Sequence, residues 1–234
     1  MSALELSGVA VSRGAGPVIR DVDLTVAPGR ITALVGPNGA GKTSLLESIS
    51  GVVKASAGRI LLDGAPLGKM SRVKRARAGI VHIEQGRAVF PTLTVLENIR
   101  LTAPNAAKVD EVLGTFPELE KRKDSATNLL SGGEQQMVVL ARAFASDPKY
   151  LLIDEMSLGL APVVFMRLLP IVQSFAASGV GVLLVEQFTH LALGVADDAL
   201  VVSSGRVTYS GDAATLKASP EVLHRAYLGG GAAA

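Results

Sequence analysis

The sequence GPNGAGKT, residues 36 to 43, follows the apolar run ITALV and precedes the helical pattern SLLESIS. It matches G-x-x-x-x-G-K-[ST] in the order strand, loop, helix that this motif requires. Glycines let backbone N–H groups turn inward around phosphate oxygens, and the helix that follows offers them the positive end of its dipole. The stretch therefore predicts a phosphate-binding loop and requires a buried strand that leads directly into a helix.

Individual residues of this loop have predicted roles. Lys42 is expected to reach the terminal phosphates, and the hydroxyl of Thr43 to supply an oxygen to Mg²⁺. The alternative interpretation, a tight turn without a ligand, does not require the lysine or the threonine. The predicted phosphate-binding residues are Gly36, Pro37, Asn38, Gly39, Ala40, Gly41, Lys42, Thr43 and Ser44.

A second apolar run, YLLID, ends in a pair of acidic residues, Asp154 and Glu155. The carboxyl end of a parallel strand borders the crevice where α/β proteins bind ligands. Together with the phosphate loop, the pair predicts that Asp154 holds Mg²⁺ through water and that Glu155 polarises the water that attacks a γ-phosphate. Without that loop, two acidic residues after a strand would indicate only a strand end.

The remaining patterns predict three kinds of structure. LELSGVAVS, VIRDVDLTVAPG and GRILLDG alternate apolar and polar residues, which is typical of half-buried antiparallel strands. RITALVG, YLLID and GVGVLLVE are continuous apolar runs, as in parallel strands covered on both faces. Between Phe90 and Ser146, apolar residues recur at helical spacing.

These patterns predict one α/β domain over residues 1–234, with a parallel sheet, an N-terminal antiparallel β lobe and a helical insertion. The expected core with its antiparallel lobe comprises residues 1–86 and 147–228. The helical lobe comprises residues 87–146, and GGGAAA, within residues 229–234, is typical of a flexible tail. A late strand in RVTYSG and a final helix in PEVLHRAYL complete the expected fold.

Composition excludes several classes of protein. The 234 residues include no cysteine, which excludes disulfides, thiolate metal sites and cysteine nucleophiles. The first residues lack the pattern of a signal peptide, and the apolar runs are far shorter than the roughly 20 residues that cross a bilayer. We therefore expect a chain in a reducing compartment whose association with a membrane, if any, is peripheral.

One short segment is strongly basic although the formal net charge is only +2. KMSRVKRAR, from Lys69 to Arg77, contains five cations. A solvated surface segment is the expected interpretation, and binding to nucleic acid or lipid headgroups is the alternative.

The segment LSGGEQQ, from Leu130 to Gln136, is unusual for a helix start. Ser131 and Glu134 have the spacing of a capping box, while Gly132 and Gly133 leave the helix N-terminus open to a bulky anion. A capped helix without a ligand would not need the two glycines. The segment therefore indicates a second anion-binding helix end.

A phosphate loop, then LSGGEQQ, then YLLIDE closely resembles the ATP-binding subunits of ABC transporters, whose signature motif is LSGGQ. The resemblance covers essentially the whole chain and implies a P-loop NTPase core that binds ATP and Mg²⁺ and hydrolyses ATP. It also implies that two such domains meet head to tail. Ser131, Gly132 and Gly133 of one would then bind the γ-phosphate held by Lys42 of the other.

The resemblance assigns roles to further positions. Gln85 matches the Q-loop glutamine, which reaches Mg²⁺ and couples the site to the membrane subunit. SLGL, Ser157 to Leu160, matches the D-loop, which crosses to the opposite site; we call it the D-loop segment. Met156 replaces the proline usual after the acidic pair. Arg13 stands where an aromatic residue normally stacks on adenine, and an arginine plane can also stack.

The sequence VLLVEQ places Gln187 where most ABC ATPases have a histidine that senses the γ-phosphate. A glutamine amide can donate a hydrogen bond to phosphate, but it cannot carry charge or shuttle a proton. We expect a neutral sensor at this position; the alternative is a residue that merely ends a strand. His190, three residues later, is a further candidate, although it would lie beyond the strand end.

GRAVFPTLTVLENI, EMSLGLAP, VLLVEQ and RAYLGG together look like the ATPases of the branched-chain amino acid class of importers. That resemblance implies a second, distinct ATPase subunit, or a second copy of this chain, and two transmembrane permease subunits supplied by a solute-binding protein. The expected location is the cytoplasmic face of the inner or plasma membrane, and no nucleic acid is expected.

Two other classes remain as alternatives. A non-transport ABC ATPase acting on nucleic acid or ribosomes would use the basic run, but usually has two ATPase units or long coiled-coil insertions. A P-loop kinase shares the phosphate loop but gives no reason for LSGGEQQ.

Overall fold

The computed structural model describes residues 3–14, 16–86 and 88–229. Its smaller sheet contains four strands in the order β2-β1-β4-β5, each antiparallel to its neighbours. These strands are β1 (Leu4–Arg13), β2 (Gly16–Val26), β4 (Ala57–Leu62) and β5 (Ala65–Pro66). The predicted antiparallel sheet is confirmed.

The larger sheet contains six strands in the order β10-β9-β3-β8-β7-β6. All neighbouring pairs are parallel except the edge pair β9 and β10. The strands are β3 (Ile31–Val35), β6 (Ile80–Ile83), β7 (Tyr150–Asp154), β8 (Gly181–Val185), β9 (Asp198–Ser203) and β10 (Arg206–Asp212).

Apolar packing on both faces explains the continuous apolar runs. Every residue of β3, β7 and β8 is buried. Along β3, Ala33 belongs to the apolar cluster on one face and Leu34 to the cluster on the other. A parallel sheet covered in this way favours apolar side chains in both orientations, and the carboxyl ends of its strands meet at one edge.

Ten α-helices surround the sheets in the described part of the chain. They are α1 (Lys42–Ser50), α2 (Arg72–Arg77), α3 (Val95–Arg100), α4 (Ala106–Thr115), α5 (Pro117–Glu120), α6 (Gly132–Ala145), α7 (Pro162–Ala177), α8 (Thr189–Val195), α9 (Ala213–Ala218) and α10 (Pro220–Tyr227). None of these helices combines the length and the apolar character needed to cross a bilayer.

The described residues between Phe90 and Ser146 form helices α3 to α6, a 3₁₀ turn at Thr127–Leu129 and one isolated bridge, as expected from the helical spacing. Helix α6 packs against both α3 and α7 and so joins this helical region to the core. The tail predicted at residues 229–234 lies, apart from Gly229, outside the described residues.

One cation of the basic run is structural. Arg75 is only 5% exposed, and its guanidinium donates to the carbonyls of Ser48 at 2.6 Å and Ile49 at 2.8 Å, at the end of α1. Burial lowers the pKa of Arg75. The expectation of a solvated segment was wrong for this residue, because the last carbonyls of α1 need donors that α1 itself does not supply.

Candidate active site

The phosphate loop connects β3 to α1 and is closely packed between other strands. Gly36 has φ +149°, and a Cβ there would lie 2.0 Å from the carbonyl oxygen of Val202. Gly41 has φ +101°, and a Cβ there would lie 2.9 Å from the carbonyl oxygen of Val18. Gly41 is also the N-cap of α1 and supplies no side-chain cap. The first N–H groups of α1 are therefore available to an anion.

The ammonium group of Lys42 folds back over the loop. It donates to the carbonyl oxygens of Gly36 at 2.8 Å and Pro37 at 3.0 Å, and the residue is only 4% exposed. Burial lowers the pKa of Lys42, while the nearby charges of Glu155 and Asp154 oppose that shift. Because an ammonium group has three hydrogens, these two bonds leave a further donor for a phosphate oxygen.

Asp154 lies at the end of β7, beside Thr43, and is 1% exposed. Burial raises the pKa of Asp154, and a hydrogen bond with the Thr43 side chain opposes this shift. Its Oδ1 is buried without a hydrogen-bond partner among the described atoms. An unpaired carboxylate oxygen beside a hydroxyl is the oxygen donor set that Mg²⁺ prefers.

No group of three or more His, Cys, Asp or Glu side chains in the described ranges could hold a metal ion. Mg²⁺ commonly takes one or two protein ligands, here the candidates with the oxygen donors described above, and completes its shell with waters and substrate phosphates. Asp154 and Thr43 therefore fit that ion.

The side chain of Glu155 contacts two other predicted site residues, Gln85 and Gln187. Its backbone has φ +47°, and its N–H donates to the carbonyl of Val185, the last residue of β8, at 3.0 Å. Its Oε2 accepts one hydrogen bond from the amide of Gln85 and one from the amide of Gln187, each at 3.0 Å. The two amides hold the carboxylate from opposite segments, so the rotamer of Glu155 is fixed.

A cavity of about 310 Å³ unites most of these groups. Residues of the phosphate loop, the first turn of α1, Gln85, Glu155 and Gln187 face the same space. Its lining is Val18, Asn38, Gly39, Gly41, Lys42, Thr43, Ser44, Gln85, Glu155 and Gln187. Pro37 and Ala40 shape the loop instead, through a hydrogen bond from the amide of Ala40 to the carbonyl of Pro37 at 3.2 Å.

The LSGGEQQ segment begins α6 with the predicted capping box. Ser131 Oγ accepts from the amide of Glu134 at 3.3 Å, and Glu134 Oε2 accepts from the amide of Ser131 at 2.8 Å. Gly132 and Gly133 form the first turn, and a Cβ on Gly133 would lie 2.5 Å from Cγ1 of Val164 in α7. Gly133 is thus needed for the close packing of α6 against α7.

The signature residues do not face the phosphate loop of their own chain. Ser131, Gly132 and Gly133 line a different cavity of about 290 Å³, next to the start of α7. The two cavities have no lining residue in common.

The structure places Arg13 outside the lining of the nucleotide cavity. Arg13 is the last residue of β1, and its guanidinium forms an ion pair with Glu47 of α1. Val18, on β2, lines the cavity instead. Stacking of Arg13 on adenine remains a prediction, and it would require the ion pair to be exchanged or shared.

Gln187 separates two cavities. It lines the nucleotide cavity and also a mainly apolar cavity of about 530 Å³ between α8 and α10. His190 lines only the second of these described cavities. The geometry therefore favours Gln187 over His190 as the residue that contacts a nucleotide.

Sequence reasoning missed one buried pair next to this site. Glu186 is fully buried, and its carboxylate accepts from both the hydroxyl and the amide of Ser157. Burial raises the pKa of Glu186 to about 7. A glutamate that ends a continuous apolar run was the available signal, since ionisable side chains are rarely fully buried without partners.

Comparison with known families agrees with this geometry. Residues 19–157, from β2 through the start of the D-loop segment, match the family model described as ABC transporter. The chain belongs to the ABC transporter family. As an ABC ATP-binding cassette, it is an ATPase that drives transport.

The names of similar proteins mention both amino acid transport and lipopolysaccharide export. A probable ABC transporter ATP-binding protein of Azorhizobium caulinodans is 40% identical, over 97% of this chain and 83% of its own length. The high-affinity branched-chain amino acid transport ATP-binding protein BraG of Pseudomonas aeruginosa is 38% identical, over 97% of this chain and 100% of its own. The lipopolysaccharide export ATP-binding protein LptB of Escherichia coli is 33% identical, over 98% of each.

Solved structures of ABC ATPases share the whole fold. An ATP-binding subunit of an ABC transporter has a TM-score of 0.83 and 28% identity, and covers 97% of this chain and 99% of its own. An ATP-binding cassette in its ADP conformation has a TM-score of 0.86 and 25% identity, over 98% and 99% of the two chains.

Proposed function

We propose that this ABC ATPase energises an importer of branched-chain or related amino acids. The observation that carries the proposal is the 38% identity to BraG, which extends over 97% of this chain and the full length of BraG. The exporter ATPase LptB is similar over the same range but at 33% identity. The resemblance of the motifs GRAVFPTLTVLENI and VLLVEQ to that importer class supports the same proposal.

ATP would bind with its phosphates in the cavity between the phosphate loop and Glu155. The N–H groups at the start of α1 and the free donor of Lys42 supply positive potential at the phosphates. Thr43, Asp154 and Gln85 are the residues that would hold Mg²⁺, which neutralises charge on the β- and γ-phosphates when bound.

Glu155 would polarise the attacking water. Its carboxylate accepts from the Gln85 and Gln187 amides, and these two bonds set its position. Gln187 would in turn donate its amide to a γ-phosphate oxygen. Since an amide has no charge to gain or lose near neutral pH, the sensor itself adds no pH dependence.

The composite site would require a second ATPase subunit, since Ser131, Gly132 and Gly133 line a cavity distinct from that of Lys42. A heterodimer on two permease subunits, supplied by a solute-binding protein, is the proposed assembly. The chain would lie peripherally on the cytoplasmic face of the membrane. ATP would close the dimer, and hydrolysis would reopen it.

Co-purification and reconstitution test this function. The tagged chain should co-purify from its native membranes with permease subunits, and in proteoliposomes ATP hydrolysis should rise when leucine-loaded solute-binding protein is added. Lys42→Ala should abolish this stimulation through lost ATP affinity. Stimulation by a lipopolysaccharide instead, or co-purification with RNA or DNA alone, would refute the importer assignment.

The basic run gives the nucleic-acid alternative little support. Arg75 is buried in bonds to α1, and Arg72 is paired with Glu84. Three exposed cations remain in the run, Lys69, Lys74 and Arg77. A patch this small neutralises few phosphates, and affinity for nucleic acid depends on that number.

A further inference from the structure

Glu186 lies directly before Gln187 in the chain but faces another part of the structure. It is fully buried, whereas Gln187 is exposed and lines the nucleotide cavity. Adjacent residues of an extended segment point in opposite directions. Glu186 therefore has no direct access to a nucleotide.

Both carboxylate oxygens of Glu186 accept hydrogen bonds from Ser157. Oε1 accepts from the amide of Ser157 at 3.3 Å, and Oε2 accepts from its hydroxyl. Ser157 is itself 4% exposed and is the first residue of the D-loop segment. The segment then turns tightly, with the amide of Leu160 donating to the carbonyl of Ser157 at 2.9 Å. Two hydrogen bonds to Glu186 therefore hold Ser157, the root of the D-loop segment, and we call this pair of bonds the clamp.

The clamp closes a ring of contacts between the ends of β7 and β8. The amide of Glu155 bonds to the carbonyl of Val185 at 3.0 Å, and Gln187 bonds to the carboxylate of Glu155. Two residues after Glu155, Ser157 bonds back to Glu186. A displacement of Ser157 cannot occur without moving Glu186 or breaking the clamp.

We propose that Glu186 is a positioning residue that fixes the root of the D-loop segment to the strand end carrying Gln187, so that movement of this segment is passed to the Gln187–Glu155 contact. The inference rests on the proposed function, because it takes Glu155 as the group that polarises water. Glu186 touches neither nucleotide nor water in this scheme. It acts through the placement of its two neighbours.

A buried carboxylate is costly unless its oxygens are bonded, so a merely space-filling residue here would be apolar. The charge that acts on Glu186 is that of Glu155, and it is repulsive. The presence of an acid despite burial and repulsion indicates that the two bonds to Ser157 are what the position provides.

Two substitutions of similar volume separate clamping from packing. Glu186→Gln can still accept from the Ser157 amide and donate to its hydroxyl, whereas Glu186→Met fills the space and can do neither. In the complex that co-purifies with the chain, Glu186→Met should lower kcat about tenfold or more with KM for MgATP little changed, because misplacement affects chemistry more than binding. Glu186→Gln should restore kcat to within about threefold of wild type.

A double-mutant cycle with Ser157→Ala tests whether the pair acts as a unit. The variant combining Glu186→Met with Ser157→Ala should be no slower than Glu186→Met, since the interaction is already lost. Ser203→Ala, a buried serine on β9 bonded to the carbonyl of Tyr227, is the matched control and should behave as wild type. If the losses of kcat in the two single variants multiplied in the double variant, the inference would be overturned. Equal losses of kcat in Glu186→Gln and Glu186→Met would overturn it as well.

Measuring hydrolysis by Glu155→Gln in parallel shows whether a failure concerns this inference or the proposed function. Near-normal hydrolysis in Glu155→Gln would remove Glu155 from its role and overturn both. Loss of turnover in Glu155→Gln together with normal kcat in Glu186→Met would overturn only the positioning role. If Glu186→Met fails to fold, Glu186→Gln and Ser157→Ala provide the test instead. A normal kcat in Ser157→Ala would overturn the inference. A lowered kcat in Ser157→Ala, together with a near-normal kcat in Glu186→Gln, would support it.

Discussion

At the scale of single residues, the candidate active site depends on side chains that hydrogen bonds within the chain hold in place. Glu155 is held by two amides, and Lys42 by two carbonyls of its own loop. Bonds of this kind reduce the freedom that must be lost when reacting groups are brought together. The proposed site would therefore need few local changes to receive phosphates.

Glu186 makes the stability of the fold depend on pH. Its pKa is raised from 4.5 to about 7, so the folded state holds a proton there that the unfolded state releases. Its contribution to stability is therefore lost as pH rises from about 4.5 to about 7. Between pH 5 and pH 8, the free energy of unfolding of wild type should fall by about 2 to 3 kcal/mol relative to Glu186→Gln.

Urea denaturation of both proteins at several pH values measures this difference. Glu221→Gln, at an exposed glutamate of α10, is the matched control. A wild-type curve that runs parallel to that of Glu186→Gln, or the same divergence in the control, would contradict the prediction.

At the scale of elements, α1 is stabilised at its C-terminal end by another part of the chain. Its N-terminus is open for phosphate, while its last carbonyls accept from the guanidinium of Arg75 in α2. The helix that would hold the phosphates is thereby anchored by a cation distant in sequence.

Arg75→Met should lower the free energy of unfolding by about 2 kcal/mol, because hydrogen bonds to charged groups contribute about 1.5 to 3 kcal/mol and the buried carbonyls would be left unpaired. Arg77→Met, in the same helix but exposed, should change it by less than about 0.5 kcal/mol. Chemical denaturation at constant pH compares them. Equal losses of stability in both variants would show that the charge of α2, and not the contact between Arg75 and α1, stabilises the fold.

The sequence predicted those elements whose pattern is local. The strands β3, β7 and β8 could be predicted because burial on both faces requires a continuous apolar run. Strand β6 was not identified, since His82 interrupts its apolar run. The hydrogen bonds of Arg75 to α1 and of Glu186 to Ser157 could not be predicted, because these partners lie 26 or more residues away and only the fold brings them together.

At the scale of the whole molecule, the two features proposed to bind phosphate are separated. The phosphate loop and Glu155 line one cavity, while Ser131, Gly132 and Gly133 line another. Binding of ATP and its hydrolysis should therefore respond differently to substitution in the two places.

Ser131→Arg should leave binding of a fluorescent ATP analogue to the isolated chain within about twofold of wild type, and abolish hydrolysis in the assembled complex. The bulky side chain would stand at the helix end that the partner's γ-phosphate approaches, where a single lost donor commonly costs 10²-fold or more. Lys42→Ala is the opposite control, since it should lose binding itself. Normal turnover by Ser131→Arg would contradict the composite site.

The separation of the two cavities also has a consequence for inheritance. In a homodimer, a copy without Lys42 and a copy with a blocked Ser131 would each be inactive with itself. Paired with each other, they would form one site from two intact halves and one site from two defective halves. Two null alleles of this gene would then complement each other. Either allele alone, paired with a normal copy, would inactivate one of the two sites in every mixed dimer.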